Sequence, residues 1–281
     1  MMQALRRQTR QVDHLVVVDN GSSPETVAIV EDTAATVTVL TPPSNVGPAG
    51  GFAFGLEHVI ATARDEDLVV LLDDDDPPPE LDLFERLEQF ISAQPSSVAG
   101  VGANGARLGR AGRLIRVPDN ELANVIDVDV IGGRAHGIYR VGVIKATGVH
   151  DVDLFFGFEE LEFCLRMRDA GFRLVVLGAL TLQRRQRTGR LGLKKRRSLA
   201  ASQPAWRRYY SVRNMIVILR RRGRRRAALS MTITAGLAKP LLHTLLRPRT
   251  GLAVLALHIR AVRDGWTDRL GCTVEPDGEP S

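Results

Sequence analysis

Leu68-Val69-Val70-Leu71-Leu72-Asp73-Asp74-Asp75-Asp76 is the stretch that decides the fold of this 281-residue chain. The apolar run predicts a buried strand, and the aspartates behind it place hard oxygen ligands where that strand ends. Open α/β sheets bind their ligands at this edge. Packing four like charges together raises the free energy of the folded state unless a cation compensates them, so the run predicts a functional site. The alternative is a solvated acidic turn in front of Pro77–Pro79.

Strands and helices are predicted to alternate around this stretch. Residues 14–18 and 36–40 have the pattern of strands. Helices are predicted at 24–32, 51–64 and 80–93. Such alternation indicates an α/β fold with a mixed, mainly parallel sheet flanked by helices, in which the strands end on one edge.

Charge is divided unevenly along the chain. Residues 181–281 contain 23 Lys and Arg against 5 Asp and Glu, whereas residues 1–180 contain 15 against 27, so the parts carry +18 and −12 and sum to +6. This division suggests an acidic catalytic body and a basic surface that meets an anionic partner. The two cysteines match no metal-binding spacing, and the polar, Arg-rich first twelve residues indicate no secretory signal.

Two further segments should approach the aspartate run. Asp19-Asn20-Gly21 follows the first strand, and the Gly-rich turn Asn45–Phe52 opens a helix. Backbone N–H groups in such a turn can approach a phosphate or a ribose. The turn lacks the spacing of a dinucleotide fingerprint, and an ordinary helix start remains the alternative.

Glu159 and Glu160 begin another predicted helix, which runs to Ala170, directly behind three phenylalanines. Partial burial beside aromatic rings would raise their pKa values toward the range of a general base. The structural alternative is that first-turn acids complement the helix dipole and that Glu162 pairs with Arg166.

The last hundred residues change character. Basic runs at 184–197 and 220–226 flank Trp206, Tyr209 and Tyr210, and the apolar stretch 227–262 is interrupted by charges and prolines. We therefore expect amphipathic helices rather than a membrane span. Residues 273–281 look like a disordered tail.

In order, these pieces resemble the family 2 glycosyltransferases with a GT-A fold, especially bacterial galactofuranosyl- and rhamnosyltransferase-like members. The matching segments are Val17–Ser22, Asn45–Gly51, Leu72–Asp75, Phe158–Glu162 and Tyr209–Asn214. The resemblance implies a catalytic domain at 1–183, a basic helical region at 184–272 and the tail at 273–281.

The resemblance also implies residue roles. Donor binding falls to Asp19, Asn20, Asn45, Gly50, Gly51, Asp73 and Asp74. Asp75, Asp73 and, weakly, Gln183 would hold Mg²⁺ or Mn²⁺, and Glu160, next to Glu159, would be the catalytic base. Glu162 and Arg213 are assigned to the acceptor or to other roles of the site.

This chain departs from the family at two places. Relatives usually open with one more strand, which lies in the interior of the sheet, so we expect that strand to be missing here. They also commonly place a metal-binding histidine near Gln183, and a neutral glutamine oxygen is a weaker ligand.

The function implied is an inverting, metal-assisted transfer of a sugar from a nucleotide-sugar donor, with UDP-galactofuranose or dTDP-rhamnose favoured. The acceptor would be lipid-linked or a cell-envelope polysaccharide. We expect a cytoplasmic protein that binds peripherally to the anionic inner face of the cell membrane. The alternatives are a catalytically impaired relative or a nucleic-acid-binding protein with an Arg-rich surface, although nucleic acid is the less expected partner.

Overall fold

The computed structural model describes residues 1–21, 36–132, 136–192, 204–246 and 248–275, without the side chains of 248–250. The strands are β1 His14–Val18, β2 Thr36–Leu40, β3 Leu68–Val70, β4 Val98–Gly102, β5 Gly105–Leu108, β6 Leu114–Arg116, β7 Val125–Val128, β8 Val130–Ile131, β9 Ile138–Arg140 and β10 Arg173–Leu177. The α-helices are α1 Met2–Arg6, α2 Gly47–Thr62, α3 Leu83–Ser92, α4 Val141–Thr147, α5 Glu159–Asp169, α6 Gly178–Arg187, α7 Ala205–Arg221, α8 Arg225–Met231, α9 Lys239–Leu246 and α10 Pro248–Trp266. A π-helical turn, Thr232–Ala238, joins α8 to α9.

The central sheet has five strands in the order β3-β9-β4-β10-β7. It is mixed, as predicted, but not mainly parallel: β10 pairs with β4 in parallel, whereas β9 and β7 run antiparallel to their neighbours. Alternate residues of β4, β9 and β10 enter two different apolar clusters, so the sheet is buried on both faces. Helix α3 covers one face, and α5 packs against β10 on the other.

Most of the predicted elements are present with shifted ends. The strands 14–18 and 36–40 are confirmed to the residue. The predicted strand 68–72 ends at Val70, because its partner β9 begins at Ile138 and only one further bond, from Leu71 N to Gly137 O, continues the pairing. The predicted helices 51–64 and 80–93 are α2 and α3, and the predicted helix 24–32 lies outside the described residues.

β1 and β2 form a separate parallel pair. Among the described strands, β1 pairs only with β2, and β3 pairs only with β9. Asp13 and Asp67, which directly precede β1 and β3, interact electrostatically, and the residues after both strands line one cavity. Residues of both strands line this cavity, which has a volume of about 2350 Å³.

The C-terminal helices are not an independent layer. Trp206, Tyr209 and Tyr210 of α7 belong to the same apolar cluster as Ala49 of α2 and Leu174 of β10. Helix α10 packs against α7, and α9 packs against α10. In the described part of the chain, no helix combines the length and the hydropathy that crossing a membrane requires.

The predicted disordered tail is wrong at its start. Tyr210 Oη donates to Val274 O (2.7 Å), and Arg260 donates to Thr273 O (2.5 Å), so residues 273–275 are fixed against α7 and α10. Residues 276–281 lie outside the described part.

Candidate active site

Four chain segments meet at one end of the cavity. They are the ends of β1 and β3 and the beginnings of α2 and α5. The cavity-lining residues at this end are Asp19, Asn20, Gly21, Asn45, Gly47, Gly51, Asp73, Asp74, Asp75, Glu159 and Glu160. The aspartate run and the glutamate pair thus line the same cavity, and the charge of Asp73 acts on both glutamates.

A pair of asparagines joins the end of β1 to the start of α2. Asn20 Nδ2 donates to Asn45 Oδ1 (3.2 Å), and Asn20 Oδ1 accepts a hydrogen bond from Val46 N (2.9 Å). Asn45 Oδ1 also accepts from Gly47 N (2.9 Å). These bonds fix the turn and keep both amides at the cavity wall, beside Asp19.

The glycines of this turn differ in what a side chain at each position would meet. Gly47 has φ +67°, and a Cβ there would lie 2.4 Å from Phe155 O, so only glycine allows α2 to approach the loop before α5. At Gly50 a Cβ would strike Val46, and Gly50 does not line the cavity. At Gly51 a Cβ would meet only Asn20 Nδ2, at 4.0 Å, so the absent side chain leaves room for a ligand.

The first three aspartates of the run have no charged partner among the described residues. No side chain of the described residues makes a hydrogen bond or an ion pair with Asp73, Asp74 or Asp75. The pKa of Asp73 is raised, first by desolvation and then by the charges of Asp75, Asp76 and Asp74. This excess of negative charge suits a bound cation.

The last aspartate of the run is tied to α6 by a network that the sequence did not reveal. His136 Nε2 donates to Asp76 O (2.9 Å), and its Nδ1 lies 3.5 Å from the Arg184 guanidinium. Arg184 and Arg187 both pair with the buried carboxylate of Glu80, at 2.6 and 2.8 Å. Burial and Arg184 lower the pKa of His136, so this ring is neutral at pH 7.

Glu159 and Glu160 are the first residues of α5. Glu159 is 6% exposed, and its Oε2 has no hydrogen-bond partner in the described structure. Burial, with the charge of Glu160, raises the pKa of Glu159 to about 8. The pKa of Glu160 is also raised, by burial and by Asp73. Both carboxyls thus hold a proton more strongly than a carboxyl in water does, which is the direction that acid–base chemistry near neutral pH requires.

The loop before α5 is strained and clamped. Phe155 and Phe158 have φ of +58° and +68°, a region that costs a phenylalanine about 1–3 kcal/mol. Asn214 Nδ2 lies within 2.9 Å of the carbonyl oxygens of Leu154, Phe156 and Gly157, and Arg213 donates to Leu154 O (2.8 Å). These bonds hold the backbone that places Glu159 and Glu160.

Arg213 and Glu162, which the resemblance assigns to the acceptor or to other roles of the site, do not line the cavity. Arg213 is fully buried and donates to backbone carbonyls, including Gly271 O. Glu162 is buried and pairs with Arg166 (2.7 Å) and Arg222 (3.3 Å), as its helical spacing toward Arg166 predicted. Both act on the site only through the structure that supports it.

The residues present fit part of a metal site. Asp73 and Asp75 supply carboxylate oxygens, and Mg²⁺ commonly binds through one or two carboxylates together with substrate phosphates. Gln183 is exposed on α6 and does not line the cavity, so it is a wrong candidate for a third ligand. Within the described ranges, no cluster of three or more His, Cys, Asp or Glu residues could hold a metal by itself.

The aromatic residues of α7 do not form the base-stacking surface that nucleic-acid binding would need. Tyr209 and Tyr210 are fully buried and Trp206 is 8% exposed. Trp206 and its neighbour Arg207 instead line the cavity beside Phe156.

Comparisons with known proteins agree with this geometry. A family model described as Glycosyl transferase family 2 matches residues 1–121. The galactofuranosyltransferase GlfT1 of Mycobacterium tuberculosis is 32% identical over 182 residues, which are 60% of this chain and 60% of that protein. The Mycolicibacterium smegmatis protein of the same name is 39% identical over 64 residues, 23% and 21% of the two chains.

Among solved structures, GalNAc-T7 with UDP, GalNAc and Mn²⁺ has a TM-score of 0.53 to this chain at 13% identity. The likeness covers 77% of this chain and 44% of that one and concerns the fold alone. It bears out the predicted GT-A fold. The chain spans only about three fifths of the M. tuberculosis relative.

Proposed function

We propose that this chain transfers a sugar from a nucleotide-sugar donor to a hydroxyl of an envelope glycan acceptor, since a model of glycosyl transferase family 2 matches residues 1–121. The observation that carries the proposal is the meeting of Asp73–Asp75 with the proton-binding pair Glu159 and Glu160 in one cavity. UDP-galactofuranose is the first donor to test and dTDP-rhamnose the second, since the relatives are named galactofuranosyltransferases.

In this proposal the donor lies along the wall from β1 to β3. Asp19 accepts a hydrogen bond from the nucleobase, and the backbone around Gly51 approaches the ribose and diphosphate. Asp73 and Asp75 would hold Mg²⁺ or Mn²⁺, which, when bound, neutralises charge on the departing diphosphate. Asp74 lies nearer the ribose or the sugar.

Glu160 takes the proton of the acceptor hydroxyl as its oxygen attacks the anomeric carbon from the face opposite the diphosphate. A single displacement of this kind inverts the configuration of that carbon. Burial and Asp73 raise the pKa of Glu160, and a raised pKa makes a carboxylate a stronger base toward the acceptor hydroxyl. Glu159, with a pKa of about 8, is protonated at pH 7 and adds no second charge beside the base.

The test measures nucleotide release and sugar transfer with both donors and Mn²⁺, for the wild type and for Glu160→Gln. We expect donor binding to be the same for both proteins and transfer to be lost in the variant. Full activity of Glu160→Gln would overturn the assignment of the base. Donor binding without transfer by the wild type would favour a catalytically impaired relative, and the absence of donor binding would refute the proposal.

We also propose that the C-terminal helices dock on an anionic membrane surface, where a lipid-linked acceptor would lie. Helix α9 exposes Leu245 and Leu246 by 73% and 74%, and Leu241, Leu242 and Leu252 are also exposed. A leucine ridge in a region with a large excess of Lys and Arg is typical of helices that lie in a membrane interface.

A further inference from the structure

Arg207 has an unusual environment for an arginine of this chain. Its guanidinium lies over the rings of Phe156 (5.2 Å) and Trp206 (5.1 Å), and these rings meet edge to face with centroids 4.7 Å apart. The residue is exposed, and no carboxylate of the described residues pairs with it. Three other arginines of α7, Arg213, Arg220 and Arg221, bond to protein acceptors.

The platform formed by Phe156, Trp206 and Arg207 belongs to the cavity of the active site. All three residues line it together with Glu159 and Glu160. Phe156 stands in the clamped loop that leads into α5, so the platform and the carboxylate pair share one piece of fixed backbone. The platform therefore lies near Glu160, the proposed base. The aspartate run belongs to a different part of the chain, directly after β3.

The chemistry of this platform suits a sugar that carries an anionic group. Aromatic faces pack against the apolar side of a ligand, and a guanidinium held over them offers two parallel N–H donors to a phosphate. The donor diphosphate would be drawn to a cation at Asp73 and Asp75, so an anion at Arg207 belongs to the other substrate.

We infer that Phe156, Trp206 and Arg207 form a subsite for a phosphate group attached to the acceptor sugar. The inference rests on the proposed function and narrows the acceptor to a glycosyl phosphate or diphosphate. The half-buried Phe156 packs against the sugar, the buried Trp206 supports Phe156 edge to face, and Arg207 binds the phosphate oxygens.

The experiment compares two soluble acceptors that share one sugar, an alkyl glycoside and the matching alkyl glycosyl diphosphate. In Arg207→Ala we expect KM for the diphosphate acceptor to rise by about tenfold or more, with kcat, KM for the donor and KM for the neutral glycoside unchanged. Arg207→Lys should recover only part of this loss, because an ammonium lacks the planar fork. Arg113→Ala, at an exposed arginine outside the cavity, is the matched control and should behave as the wild type.

Equal losses with both acceptors, or no loss with either, would overturn the inference. So would competition by inorganic diphosphate as strong as that by the glycosyl diphosphate, since the site would then bind free anions. Calorimetry of the two acceptors with the wild type and Arg207→Ala keeps the test independent of turnover. If no sugar is transferred but diphosphate-selective, Arg207-dependent binding is found, the proposed function fails and the subsite stands.

Discussion

At the scale of single residues, the carboxylates of the cavity fall into two groups with different tasks. Asp73, Asp74 and Asp75 lack a protein partner in the described structure, whereas Glu159 and Glu160 are withdrawn from water. The first group is suited to a cation, and the second to holding and moving a proton.

Asp75→Asn should weaken metal-dependent donor binding, since it removes the charge of one metal ligand. We expect Kd for UDP in the presence of Mn²⁺ to rise by about tenfold or more, measured by calorimetry, and Kd without metal to stay the same. Asp82→Asn, at an exposed aspartate before α3, is the control. An unchanged Kd in Asp75→Asn would show that Asp75 is not a metal ligand.

Glu159 should make stability depend on pH. Its pKa is about 8 in the folded protein and 4.5 in the unfolded chain, so the folded state retains a proton that the unfolded state loses between these values. The free energy of unfolding should therefore fall as pH rises from about 4.5 to 8, by roughly a few kcal/mol. Urea unfolding at pH 5, 6.5 and 8 measures this fall.

Glu159→Gln should flatten that dependence, because glutamine does not titrate. The variant should gain stability over the wild type as pH rises toward 8. Parallel pH dependences of the two proteins would contradict the raised pKa of Glu159.

Sequence patterns and the family resemblance together indicated which residues line the cavity, whereas the roles assigned to these residues stay predictions. Asp19, Asn20, Asn45, Gly51 and the carboxylates of both groups line one cavity, as their positions after strands and at helix starts indicated. Glu162 and Arg213 stand in the same motifs but face the interior, which a motif does not reveal. His136 follows the predicted strand 68–72 by more than sixty residues, and nothing local connects it with Asp76.

At the scale of elements, the loop before α5 links the C-terminal helices to the chemistry. The backbone of Phe155 and Phe158 is held in a costly conformation by donors from α7. The segment Tyr209–Asn214 therefore supports the backbone of the candidate active site.

Asn214→Leu should release the loop before α5 from helix α7. The change removes the donor for three carbonyl oxygens and should cost about 2–4 kcal/mol in the free energy of unfolding, together with most of the transfer activity. Ser211→Ala, one turn earlier on α7, removes only a bond within the helix and should change stability by about 0.5 kcal/mol or less. Equal effects of the two substitutions would argue against the clamp.

Local patterns located most elements but not their neighbours. β1 and β2 have strong alternation and β-branched residues, so their limits were predictable. β9 has only three residues, and its place between β3 and β4 depends on pairing across long stretches of chain. The shortened β3 follows from that pairing.

At the scale of the whole molecule, the basic part of the chain is also the part that exposes the leucines of α9. The basic C-terminal part carries the exposed leucines of α9, and its helix α7 reaches the cavity through Trp206 and Arg207. One group of helices would thus bind the membrane through α9 and the acceptor through the platform.

Leu245→Asp with Leu246→Asp should reduce binding to vesicles that contain anionic phospholipid, because each change removes apolar area and adds a negative charge. We expect the bound fraction in co-sedimentation to fall by about tenfold, with transfer to a soluble acceptor unchanged. Leu114→Asp with Ile115→Asp, on exposed β6, is the matched control. Undiminished vesicle binding of the α9 variant would refute membrane docking through this ridge.

The rate of amide hydrogen exchange should differ between the β1–β2 pair and the central sheet. β1 and β2 are joined to each other but, in the described structure, to no strand of the central sheet, and their residues are half-buried, whereas all five residues of β4 are buried. Deuterium should therefore enter β1 and β2 faster than β4 and β10. Asp19 and Asn20 would then open and close as a local unit while the glutamate pair stays closed, and UDP would slow exchange chiefly in that unit.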